Sequence, residues 1–284
     1  MRNKLISFAQ TIANIAQKPI TPCMAHQSPY IISFGYFWTH SSLNASQDSE
    51  KYLFHPLFAQ ESSCNNHCFR YEVGTELGVA WLIIYFLLSK DFFQQTQQPS
   101  TASHIKQILD DLDIGFLASE SNLGEEELQI LSEIPKNSDM TLILGEELAM
   151  HDEAIEIAHI IGTLAQYLNI HIVIPTLETT ITPNAHCSNI VFAPCESLPE
   201  SNGNVIYIVP TETQPYILQT PLLFAPQNKL YDLQPIILKS HTQSFEACAK
   251  IDSHLKGTIG ILYLPQESYQ QVGYPYQKVE VIAR

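Results

Sequence analysis

The chain has 284 residues, of which 45% are hydrophobic and 15% charged, enough to bury a sizeable core in one large or two modest domains. Its 29 Asp and Glu against 14 Lys and Arg leave a net charge of -15, which argues against nucleic acid, anionic membrane surfaces and polyphosphates as principal ligands. The 6 cysteines are scattered and no export signal precedes them, so they predict free thiols in a reducing compartment, by default the cytosol.

At the start, Leu5, Ile6, Phe8, Ala9, Ile12, Ala13 and Ile15 fit a short amphipathic, docked helix, and no unbroken run of signal-peptide length is present. The stretch to about residue 70 is rich in Ser, His, Asn and aromatics, with SPYIISFGYFW reading as a strand and HPLF as a turn. From Tyr71, YEVGTELGVAWLIIYFLLSKD reads as a turn and then a buried helix over Leu77 to Leu88, too short to span a bilayer. The polar tract Gln94 to Ser103 reads as a linker or exposed loop. The next segment predicts a helix, a short strand around Ile114 to Ala118, and a second helix opened by a capping box of Asn122 and Glu125.

Met140 to Pro175 reads as a strand, a turn at Gly145, an amphipathic helix over 151 to 168 and a second strand over Ile170 to Ile174. Gly162 on that helix predicts close approach of a strand. In sheets that bind nucleotides, the first turn of such a unit is glycine-rich and faces a helix N-terminus. Here it carries Glu146, Glu147, Asp152 and Glu153 with a single glycine, which repels phosphate and satisfies the helix end from within. Further strands are predicted at Ile190 to Ala193 and Val205 to Val209. Beyond Pro210, proline-punctuated apolar runs predict a small β-rich region, with a helix around Ser244 to His254. The reading is therefore α/β, a mostly parallel sheet with flanking helices plus a small β-rich C-terminal region. It divides into 1–95 (irregular segment and buried helix), 104–210 (α/β domain) and 211–284.

Cys64, His67 and Cys68 form the densest group of potential metal ligands, but Cys-x3-Cys matches no finger or ferredoxin run, and a full site would need Cys23, His26 or His55 from elsewhere. His186 and Cys187 are adjacent and point apart on an extended chain, even with Cys195 nearby. Walker, GxSxG, HExxH and CxxC motifs are absent. His159 reads as a helix-surface residue and His171 as a strand-end residue.

The phrases YEVGTELGVAWLIIYFLL, IGFLASESNLGEEEL and LILGEELAMHDEAIEIAHIIGTLAQYLNIHIVIP, within roughly Glu72 to Val209, resemble the molybdopterin-oxidoreductase fold. More narrowly they resemble its version in the large iron-sulfur subunit of NADH-quinone oxidoreductase, respiratory complex I. The resemblance rests on texture and order. The family's cluster-binding cysteine runs and the flavin subunit's glycine-rich FMN and NADH site are missing. The resemblance implies a short accessory subunit of the peripheral arm, with no catalytic residue and no pterin. Such a protein would sit on the cytoplasmic face of the membrane through other subunits of a respiratory complex, with no span of its own and no nucleic acid. Two alternatives stand beside it. One is a free-standing α/β enzyme binding flavin or nucleotide at the carboxyl ends of strands Leu142 to Leu144 and Ile170 to Ile174. The other is an iron-sulfur carrier using Cys64 and Cys68.

Overall fold

The computed structural model describes residues 2–24, 28–38, 48–57, 66–88, 99–184, 192, 195, 197–199, 202–213 and 216–283. Six parallel strands form the first sheet: β1 (Ile20–Thr21), β2 (Tyr30–Phe34), β3 (Glu50–Phe54), β4 (Asn66–Phe69), β5 (Met140–Leu144) and β6 (Ile170–Val173). Their order across the sheet is β1-β6-β5-β2-β3-β4. The central strands are near-continuous apolar runs such as MTLIL, as burial on both faces requires. Alternate residues divide between two clusters. Ile32, Phe34, Leu142, Leu144 and Ile172 join the main core, and Ile31, Ile143 and Val173 join a smaller one with Met24, Tyr36 and Trp38.

The helices of the main core are α1 (Arg2–Ala16), α2 (Glu76–Leu87), α3 (Pro99–Asp111), α4 (Ile114–Glu120), the single turn α5 (Glu125–Leu128) and α6 (Ala154–Tyr167). The stripes on α1 and α6 pack against each other. Helix α2 is apolar nearly all round because it is enclosed on every side. Gly162 permits close approach as expected, but of a helix and not a strand: a Cβ there would lie 2.7 Å from the Ile15 Cβ and 3.3 Å from the Ile12 carbonyl oxygen on α1.

The second sheet has seven strands: β7 (Val205–Pro210), β8 (Ile217–Thr220), β9 (Pro235–Lys239), β10 (Ser244–Ile251), β11 (Gly260–Leu264), β12 (Tyr276–Lys278) and β13 (Glu280–Ala283). They are ordered β12-β7-β11-β8-β10-β9-β13, with one-turn helices α7 (Phe224–Gln227) and α8 (Gln266–Tyr269). On β7, Ile206 and Ile208 face this lobe's own core, while Val205 and Tyr207 face the parallel sheet's lobe in a seam shared with Leu57. Residues 1–95 thus supply four strands of the parallel sheet, and β7 pairs in the second sheet.

Several local expectations are corrected. Ile114 to Ala118 is helical, capped by the Asp113 carboxylate accepting from the Phe116 N–H at 2.9 Å. Asn122 has φ +56° and forms no capping box; Gly124 precedes α5 instead. The tract expected as a linker is helical from Pro99, since proline is tolerated in the first turn, and residues 94–98 lie outside those described. The expected helix at Ser244 to His254 is strand β10, whose neighbours β8 and β9 supply its backbone partners. The helix expected from 151 begins at Ala154, after a 3-10 turn over Glu146–Met150. Of the strand expected at Ile190 to Ala193, only Phe192 is described, and it is in no strand.

Candidate functional site

The polypeptide runs outward from β2 through β3 to β4, then returns to the other side of β2 with β5 and continues to β6. The strand order reverses between β2 and β5, and open parallel sheets bind ligands in the crevice beyond the carboxyl ends at such a point. Strands β2, β3, β4 and β5 end in register, with Phe34 opposite both Phe54 and Leu144, and Phe54 opposite Phe69. Whatever follows those four strands meets at one place.

Gly35 follows β2 and Gly145 follows β5, and the two turns touch. A Cβ on Gly145 would lie 1.6 Å from the Gly35 carbonyl oxygen, and one on Gly35 would lie 2.9 Å from Leu148 Cγ. The Gly145 N–H donates to the Phe34 carbonyl at 2.9 Å, so the sheet's ladder runs on into these turns and leaves no gap between them. The two glycines here bring protein against protein.

Beside this contact, the parallel lobe presents His55, Tyr71, Glu76, Glu146, Glu147 and His151, and the β lobe answers with tyrosines. The Tyr207 hydroxyl donates to Glu147 at 3.0 Å, Tyr269 donates to Glu146 at 2.7 Å, and Tyr274 donates to Glu76. Glu76 is 0% and Glu147 2% exposed. The Tyr207 and Tyr276 rings lie 4.6 Å apart, and Tyr276 is 5.6 Å from Tyr274, so the phenols form one aromatic wall.

Each buried carboxylate turns its other oxygen to an imidazole. Glu76 Oε2 lies 3.2 Å from His151 Nε2, and Glu147 Oε1 lies 3.6 Å from His55 Nε2. The His151 Nδ1 accepts the Glu153 N–H at 3.0 Å, so the neutral ring carries its proton on Nε2, which also faces the Gly74 carbonyl at 3.2 Å. The His55 Nδ1 is bracketed by the Leu57 main chain, 2.9 Å from its N–H and 2.7 Å from its carbonyl, and its Nε2 lies 3.2 Å from the Tyr276 hydroxyl.

Burial pushes the Glu147 carboxyl above the ordinary carboxylate range; the nearby His55 and the Tyr207 donor oppose this, and Glu76 adds to it. For His151, burial disfavours the charged ring, but the hydrogen bond and charge of Glu76 and the Gly74 carbonyl outweigh it, so its pKa is raised. Tyr71, Tyr207, Tyr274 and Tyr276 are all held well above the usual phenol value, first by burial and then by the neighbouring carboxylates.

A cavity of about 490 Å³ opens next to this cluster, lined by Gly74, Leu77, His151, Leu198, Tyr274 and Lys278 among others. The N-termini of α2 and α6 border it. Glu76, Asp152 and Glu153 occupy the positions where an anionic ligand would meet those helix ends.

The residues expected to hold a metal are not brought together. His67 and Cys68 are neighbours on edge strand β4 and point to opposite faces. His67 pairs with Glu50 at 3.1 Å and stacks on Tyr52 at 5.0 Å. Cys64, His26, His186 and Cys187 lie outside the described residues, and Cys23 is exposed. Of the histidines considered as outside partners for that group, the described one is His55, and it lies in the seam. Among the described residues no group of three or more His, Cys, Asp and Glu is arranged for a metal ion. Burial, with the charge of Glu153, pushes the Cys195 thiol up to about 11, far from a nucleophile's range. His159 is half-buried on α6 with its pKa lowered by burial, and His171 is exposed, 3.0 Å from Asp139.

The tyrosines are the part of the site that sequence reasoning missed. Their signal is slight: phenols within apolar strand phrases (VIYIVP, GYPYQK) and one carboxylate, Glu76, opening an otherwise apolar helix. The protein matches no protein-family model, and no curated protein is significantly similar to it.

Proposed function

We propose that the protein is a non-catalytic, accessory subunit of the peripheral arm of an NADH-quinone oxidoreductase-type complex, on the cytoplasmic face of the membrane, supporting electron input to quinone. The observation that carries this reading is the filled crevice at the switch point between β2 and β5: Gly35 meets Gly145 there, and Tyr207 is hydrogen-bonded to Glu147. A sheet of enzyme-like topology whose ligand position is occupied by its own second lobe is suited to shape and assembly. The family resemblance supplies the complex. Among the described residues no helix is long and apolar enough to cross a membrane, so attachment would run through other subunits. Tagged protein recovered from detergent-solubilised membranes should bring the other subunits with it; recovery of the tagged protein alone would sink the assignment.

The cavity of about 490 Å³ favours a second reading, an α/β protein that binds a small molecule beside the seam. Flavin absorbance in the purified protein would favour that reading over the first. A metal-free, colourless protein would remove the iron-sulfur carrier.

A further inference from the structure

The seam between the two lobes sets a row of polar contacts among apolar residues. Three of its direct contacts run from a phenol of the β lobe to a carboxylate of the parallel lobe, and a fourth joins Tyr276 to His55. The two fully buried carboxylates come from different elements, Glu76 from α2 and Glu147 from the 3-10 turn after β5, and the charge of Glu76 makes Glu147 harder to ionise.

Each is paired with one imidazole, Glu76 with His151 and Glu147 with His55. A pair holding one proton beyond the neutral imidazole's own is neutral overall, wherever in the pair that proton sits. Without it the pair carries one negative charge inside an apolar wall of phenol rings and Leu57. The other titratable groups packed here are Tyr71 after β4, Glu146, which is tied to Tyr269, and Asp152, Glu153 and Lys278 around the cavity. Asp152 and Glu153 add negative charge on the His151 side.

We propose that this seam is a proton-operated clasp between the lobes, closed while each carboxylate–imidazole pair carries the proton that makes it neutral and loosened when both pairs have lost it to solvent. Loosening would free the tyrosine hydroxyls and widen the adjacent cavity. The raised proton affinities of Glu147 and His151 agree in direction with protons held in the closed state. The clasp rests on the seam's geometry alone and stands whichever reading of the protein's role holds.

Amide hydrogen exchange of the whole protein tests it, comparing β7 and β12 at the seam with β5 in the sheet interior, at about pH 6 and about pH 9. Taking the ratio to β5 removes the intrinsic pH dependence of exchange. Protection of β7 and β12 relative to β5 should fall by about tenfold or more at the higher pH, because each pair then leaves an uncompensated charge buried in the seam. Glu147→Gln, which fixes one pair in an uncharged form, should lose much of that fall. Tyr207→Phe removes a latch and one donor to Glu147 while keeping both carboxylates and both imidazoles, so it should lower protection at both pH values and keep a fall with pH. A ratio unchanged with pH in the wild type, an undiminished fall in Glu147→Gln, or loss of the dependence in Tyr207→Phe would each overturn the proposal. If Glu147→Gln does not fold, the wild type and Tyr207→Phe decide it.

Discussion

Gly145 shows how one position sets what the rest of the molecule can do. Any side chain there meets the Gly35 carbonyl at 1.6 Å, a backbone group that cannot turn aside. Gly145→Ala should therefore force β2 and β5 apart at their ends and cost about 4 kcal/mol or more, within the range reserved for strained core sites; an unchanged urea midpoint would contradict the contact. Tyr274→Phe removes one donor to a buried carboxylate and should cost about 1–3 kcal/mol, read from the same titration. The acidic turn at Gly145 is legible in the sequence as unfit for phosphate. Its partners are not, because Tyr207 lies 60 residues from Glu147, Tyr269 lies 123 from Glu146, and Tyr274 lies 198 from Glu76. Pairings that distant leave no local pattern.

At the scale of elements, α6 is held from both ends. Its first turn abuts His151, and its last carbonyls are met by Lys18, whose ammonium donates to Ala165 O at 2.7 Å and Leu168 O at 2.8 Å. Lys18→Met keeps the stem and removes the donors, and should lower stability by about 1 kcal/mol, measured as a shift of the thermal midpoint. Gly162→Ala would raise intrinsic helix propensity by about 1 kcal/mol, yet its Cβ would press on Ile15, so a net loss of about 1–3 kcal/mol is expected. Helices α1, α2 and α6 are legible because each keeps its apolar spacing, or unbroken apolarity, over three turns or more. Ile114–Ala118 misleads because five apolar-rich residues fit either period, and the cap at Asp113 decides for helix. Ser244–Ile251 misleads because its alanines, Glu246 and Lys250 suit a helix, while backbone pairing on both sides holds it as a strand.

The molecule as a whole is divided in charge as well as in fold. Residues 205–284 contain 6 acids and 6 bases, so the net charge of -15 belongs to residues 1–204. A basic partner is therefore drawn to the parallel lobe, and the β lobe contributes no net field. The architecture, a parallel sheet with helices and a β-rich region after it, can be read from alternating helix and strand phrases. That the second sheet seals the first cannot, since docking of whole sheets leaves no period in the sequence. Proton linkage gives the pH response a sign. Glu147 and His151 both have raised folded pKa values, so the stability they contribute is present below their unfolded values of 4.5 and 6.5 and is lost as pH rises through the folded ones. Asp252, whose pKa is lowered first by the His254 N–H, acts in the opposite sense: its share is lost as pH falls below 3.8 and through the folded value. The urea midpoint should fall as pH rises from these unfolded values through the folded ones, and a midpoint that rises there would contradict the buried pairs. That the second lobe fills the crevice where such a sheet would hold a nucleotide is tested most directly by titrating the purified protein with FMN and with NADH and following the heat of binding. Tyr207 of the second lobe, seated on Glu147 beside the Gly35–Gly145 turns, predicts no saturable binding of either; saturable binding that a bulky residue at Gly35 abolishes, in a variant that still folds, would contradict it.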